Sequence, residues 1–192
     1  MLSQTAQLVL LDASPLCRFA ECALVGGLRA YLGVRARITR EVERELLRLA
    51  ERHEFAVLAD HLRADGSEAK CGTWPKTTKP LPDALKPDFA NLLALQRAIG
   101  RHDWAHAGEI ATVLMAAHRA ADLVLIDEGW GSRLARSRGL QVMSTALLAQ
   151  EMVVAGGLSQ DEGFRVFDAA TPEGVGRKRF EVGLARLRSG RL

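Results

Sequence analysis

The chain has 192 residues, 48% of them hydrophobic and 26% charged, the balance of a globular domain long enough to bury a sizeable core. No stretch approaches ~18 uninterrupted apolar residues, no basic flank precedes the first apolar run, and three cysteines (Cys17, Cys22, Cys71) fall at no metal-type spacing. A membrane span, a secretory leader and a disulfide framework are therefore not expected, and reduced thiols in a cytoplasmic protein fit the pattern. The 26 Lys and Arg exceed the 23 Asp and Glu, but residues 171–192 hold six basic groups against two acids, leaving 20 against 21 elsewhere. The positive excess is thus a property of the C-terminal tail, read either as a solvated, partly disordered end or as a phosphate-neutralising one.

In chain order, Leu8-Val9-Leu10-Leu11-Asp12 is an aliphatic run ending in an acid, the pattern of a strand buried in a parallel sheet. Ser14-Pro15 then predicts a helix start, and Gly26-Gly27 its stop. Ala36-Arg37-Ile38 reads as a short strand, and Thr39 as the cap of a helix from about Arg40 to His53. Phe55 to Asp60 is ambiguous. Residues 64–87 hold four of the six prolines and several lysines, which predicts a long loop or insertion. Phe89 to Ile99 is a plausible amphipathic helix before Gly100.

From Gly108 to about Arg119, Ile110, Val113, Leu114 and Ala117 have helical spacing. Leu123-Val124-Leu125-Ile126-Asp127 then repeats the opening phrase. A helix over 130–138, a short strand at Leu140-Gln141-Val142, a helix capped by Ser144 and ended by Gly156-Gly157, and a last short helix from Ser159 to Ala169 complete the pattern. Strand–helix alternation of this kind predicts an α/β domain with a mostly parallel sheet.

Four acids stand out by position. Asp12 and Asp127 end the two aliphatic strands, where open α/β sheets bind ligands. Glu45 shares the apolar stripe of Val42, Leu46 and Leu49, where an unpaired carboxylate is rare. Glu109 opens a helix behind Gly108, a place that the helix dipole alone would justify. Carboxylates brought together at one sheet edge repel, and a hard divalent cation is the simplest compensation.

These acids, in Val9–Pro15, Ile38–Leu46, Gly108-Glu109-Ile110-Ala111 and Ala121–Glu128, followed by Arg133–Val142 and Ser144-Thr145, resemble the PIN-domain family of metal-dependent ribonucleases, best known as toxins of VapBC-type toxin–antitoxin pairs. The resemblance spans roughly residues 7–170. It implies a PIN-like three-layer sandwich with a central, mostly parallel sheet flanked by helices, a nuclease domain over 1–170 with 64–87 as an insertion, and 171–192 as an added basic tail.

It further implies that Asp12, Glu45, Glu109 and Asp127 meet around one or two Mg²⁺ or Mn²⁺ ions. Asp12 and Asp127 would be direct ligands. Glu109 and Glu45 would bind through water or orient the attacking water, and Glu128 and Thr145 would be accessory. An RNA substrate, a cognate antitoxin and a homodimer are the implied partners, with no membrane. Arg133, Arg136, Arg138, Arg177, Lys178 and Arg179 are the expected nucleic-acid contacts, set against a plainly solvated face. The family often has Gly where this chain has Ser144, and the 64–87 stretch and the tail are extra.

Other readings are weaker. His102-Asp103-x-x-His106 has the spacing of a helical zinc pair but no third ligand. A haloacid-dehalogenase-type phosphatase needs a second Asp where Ser14 stands, and a receiver domain needs an acidic pair and a late Lys that are missing. The non-enzymatic alternative is a PIN-like module that binds nucleic acid or protein with weak or lost cleavage. Aromatic residues make up only 5% of the chain, so base stacking is not the expected mode of binding.

Overall fold

A computed structural model describes residues 1–51, 58, 74–98, 106–127, 129–171 and 176–190. Their strands form one five-stranded sheet, and every pairing in it is parallel. The strands are β1 (Val9–Leu11), β2 (Ala36–Ile38), β3 (Lys76–Thr77), β4 (Leu123–Leu125) and β5 (Val142–Met143), in the order β3-β2-β1-β4-β5. The chain builds outward from β1 to β2 and β3, then crosses back to place β4 on the other side of β1. That reversal makes a crevice beyond the carboxyl ends of β1 and β4, where ligands bind in open α/β sheets.

The aliphatic strands sort their side chains by the two-residue period. Val9, Leu11, Ile38, Leu123 and Leu125 pack on one face with α2 (Ala13–Glu21), α3 (Val25–Leu32), α4 (Arg40–Leu49) and α8 (Thr145–Val154). Leu10, Val124 and Ile126 pack on the other, against α5 (Lys86–Ala98) and α6 (Ala107–Arg119). Helices therefore cover both faces. The remaining described helices are α1 (Leu2–Thr5), α7 (Trp130–Ser137), α9 (Gln160–Ala169) and α10 (Gly176–Arg188). Among the described residues no helix is long and apolar enough to cross a membrane.

Local chemistry fixes the ends of the elements that carry the acids. Thr39 caps α4 by accepting the Val42 amide at 3.3 Å, and Ser144 caps α8 by accepting the Leu147 amide at 3.3 Å. The Asp122 carboxylate accepts the amides of Gln7 and Leu8, both at 2.9 Å, and so ties the entrance of β4 to that of β1. Arg35 donates to the carbonyls of Ser3, Gln4, Ala6, Tyr31 and Leu32 at 2.6–3.1 Å, which holds the N-terminal turn against the sheet.

Four expectations change. Ser14 does not cap α2: Asp12 occupies the cap position without a side-chain cap bond, and Ser14 Oγ donates to Asp12 Oδ2 at 3.1 Å. Gly26-Gly27 lies inside α3 rather than ending α2. The break falls earlier, at Ala23 with a φ of 57°, and burial of Val25, Leu28 and Leu32 holds the glycines in a helix. The 64–87 stretch, where described, contains β3, a 3₁₀ turn at Asp83–Leu85 and the start of α5. The tail forms α10, anchored by Phe180 and Leu184 packed with Phe164 and Phe167 of α9. Phe55 to Asp60 lies outside the described residues except for Leu58, which is buried.

Candidate functional site

Asp12, Glu45 and Glu109 approach one another in pairs at the carboxyl edge of the sheet. Asp12 leaves β1 with its amide bonded to the Leu125 carbonyl at 2.9 Å, and only 3% of its surface is exposed. An aspartate at a helix cap position ordinarily spends its carboxylate on the helix amides. Asp12 makes no such side-chain cap bond, and it stands in the field of Glu45 of α4 and Glu109 of α6. Burial first, then the charges of Glu109 and Glu45, push its carboxyl up to about 7. Burial and Glu109 likewise raise the Glu45 carboxyl, against a lowering pull from His106. Like charges out of water destabilise one another's ionised forms.

Two glycines make the approach possible. A Cβ on Gly108 would lie 2.8 Å from Glu45 Oε2 and 3.4 Å from Asp12 Oδ1, so both carboxylates reach the space that this glycine leaves open. A Cβ on Gly131 of α7 would lie 2.7 Å from Glu109 Oε2. His106 completes the group, its Nδ1 at 2.9 Å from Glu109 Oε2 and its ring 5.9 Å from that of Trp130. Both His106 and Gly131 were missed as site residues in the sequence. The His102–His106 spacing marked His106 only as half of a zinc pair, and its partners His102 and Asp103 lie outside the described residues.

Asp127 follows β4 at the same edge, where its Oδ1 accepts the Thr145 amide at 2.8 Å. Capping therefore falls to Ser144, and Thr145 is the first residue of α8. The Thr145 hydroxyl is fully buried without a hydrogen-bond partner among the described residues. Glu128 lies outside the described residues. Cys17, beside the acids, has its thiol pushed up to about 12, chiefly by burial and then by Glu45. It is a packing residue at neutral pH and not a nucleophile.

Among the described residues no three His, Cys, Asp or Glu side chains are grouped so as to hold a metal ion. The acids converge in pairs. The donor chemistry still suits a small hard cation, because Mg²⁺ keeps several waters and takes only one or two protein carboxylates.

The basic residues fall into separate groups. Arg133 and Arg136 are exposed on α7, with Arg136 Nη1 donating to Ser132 Oγ at 3.4 Å. Arg138 stands 3.8 Å from Asp88. Arg177 pairs with Asp161 and lies 4.9 Å over the Phe164 ring. Lys178 is exposed, and Arg179 lines a cavity beside Asp127. Compared with protein-family models, with curated proteins and with solved structures, the chain matches none.

Proposed function

We propose that this chain is a Mg²⁺- or Mn²⁺-dependent endoribonuclease with a PIN-like three-layer fold, hydrolysing RNA phosphodiesters. The observation that carries the reading is the buried Asp12 at the switch point of the sheet, with the charges of Glu45 and Glu109 acting on it. Such crowding of carboxylates opposes stability unless a cation relieves it. A role as the toxin of a toxin–antitoxin pair, with a cognate antitoxin and a homodimer, belongs to the same proposal and is carried by the sequence resemblance.

Asp12 and Glu45 would hold the ion, with Glu109 reaching it through water. When bound, the ion lowers the pKa of a coordinated water and neutralises charge on the phosphate in the transition state. Glu109 and His106, 2.9 Å apart, are placed to take a proton from the attacking water and pass it outward. Asp127, held at the end of β4 by the Thr145 amide on its Oδ1, would be a further ligand.

The test is cleavage of a mixed single-stranded and structured RNA pool with Mn²⁺, Mg²⁺ or EDTA, for the wild type, Asp12→Asn, Asp127→Asn and Glu45→Gln. Metal-dependent products that disappear in EDTA and fall at least ~100-fold in Asp12→Asn support the reading. Equal cutting by all forms would assign the activity to a contaminant. Metal binding without cutting would favour the binding-module alternative.

A further inference from the structure

A cavity of about 820 Å³ opens beside Asp127 between α2, α8 and α10. Two residues join it to the acidic site. Asp127 lines it, and so does Ser14, whose hydroxyl is bonded to Asp12 Oδ2 at 3.1 Å. Its other charged lining residues are three arginines, Arg18, Arg179 and Arg186. Arg18 is held by Glu21 at 3.1 Å. Arg179 and Arg186 are exposed, and among the described residues neither makes an ion pair.

The two free guanidinium groups are seven residues apart on one face of α10, ~10.5 Å along the axis at 1.5 Å per residue. Gly183 stands between them. A Cβ there would fall 2.0 Å from Gln150 Nε2, so the glycine admits the Gln150 amide beneath the helix. Gln150 is 6% exposed, and its Nε2 is committed to the Phe180 carbonyl at 3.0 Å. Its Oε1 accepts no hydrogen bond from the described residues and is left for an occupant. Leu147, Phe167 and Val182 supply apolar wall.

We propose that this groove binds single-stranded RNA immediately beside the scissile phosphate, with Arg179 and Arg186 gripping two of its backbone phosphates. The inference rests on the nuclease reading above. Guanidinium groups match phosphate oxygens in a bidentate geometry. A single small anion would need one such fork, whereas the arginines here are spread along a channel that also borders Asp127 and the Ser14 hydroxyl bonded to Asp12. The cavity is of a size that holds a nucleotide-scale ligand. Lys178 and Arg188 are equally exposed on α10 but do not line it, so the charge that matters is one face of the helix and not the tail as a whole.

The test is fluorescence anisotropy of a labelled single-stranded 12-nucleotide RNA, and of a duplex of the same length, in EDTA so that nothing is cut. Arg179→Ala/Arg186→Ala is compared with Lys178→Ala/Arg188→Ala, which removes the same charge from outside the groove. The groove pair should weaken single-strand binding at least tenfold at low salt and flatten the salt slope by about 1.4 for two phosphates. The control pair should change affinity less than threefold, and the duplex should bind at least tenfold more weakly than the single strand. Equal loss in both pairs, no loss in the groove pair, equal binding of duplex, or no RNA binding by the wild type would each overturn the proposal. Cleavage measured in parallel separates the two readings. Metal-dependent cutting unaffected in the groove pair refutes the groove alone, and arginine-dependent binding without any cutting refutes the nuclease alone.

Discussion

Glu45 Oε2 lies 2.8 Å from the point where Gly108 would carry a Cβ. The second residue of α6 is thus glycine because a carboxylate from α4 occupies the space of its missing side chain. Gly108→Ala separates fold from site. Alanine favours a helix over glycine by up to ~1 kcal/mol, and the nearest atom it would strike is the far end of a flexible side chain, but the Cγ2 of buried Val42, 3.2 Å from the same point, must also give way. Crowding of Val42 offsets the helix gain, so the fold should persist with a Tm within a few degrees of the wild type, while Glu45 and Asp12 are pushed apart. Mn²⁺ affinity should fall at least tenfold by calorimetry, and any cleavage by ~100-fold, the effect of a misplacement of about 1 Å. A variant that binds Mn²⁺ like the wild type would show that Glu45 is not a ligand.

Asp12 makes the metal-free protein pH-sensitive in a defined direction. Its carboxyl is raised from the ordinary 3.8 to about 7 in the folded state. Below pH 4 both folded and unfolded chains hold the proton, and the stability from this group is complete. Between pH 4 and 7 the unfolded chain ionises while the native state keeps its proton, so stability falls. Above pH 7 the loss is complete and constant. It amounts to about 4 kcal/mol for a shift of this size. In EDTA, Asp12→Asn should remove this decline and melt above the wild type at pH 8, with the two converging at pH 4. Parallel pH profiles for the two proteins would mean that Asp12 ionises normally in the fold.

Much of this arrangement is legible in the residues, because the signals are strong where the sheet is buried. The two aliphatic runs, the Ala36–Ile38 strand, the Thr39 cap and the helix over Ala107–Arg119 all follow from period, capping and burial. β3 was hidden because it is two residues long, polar and only partly buried; pairing with β2 defines it, supported by the Thr78 amide on the Ile38 carbonyl at 2.8 Å. α10 was hidden because arginines dominate its composition, while its anchors, Phe180, Leu184 and Leu187, are few. Of the site, the acids could be found from their places on strand ends and stripes. The glycines that admit them could not, since a glycine inside a helix looks like a breaker until its neighbour's carboxylate is seen.

The turn into β4 offers a stability test that leaves the site untouched. Ala120 ends α6 with a φ of 50°, in the left-handed region, where its amide bonds back to the helix carbonyls of Ala116 and Ala117. That conformation costs an L-residue about 1–2 kcal/mol, and glycine is the residue that adopts it freely. Glycine also gains about 0.4–1 kcal/mol of freedom in the unfolded chain, which offsets part of the benefit. Ala120→Gly should therefore stabilise the protein by about 0.5–1 kcal/mol, a rise in Tm of ~1–4 °C for a chain of this size. Ala117→Gly, three residues earlier at an exposed helical position, is the control of opposite sign and should destabilise by about 0.5–1 kcal/mol. If both substitutions lower the Tm, the helix does not end in the left-handed turn at Ala120.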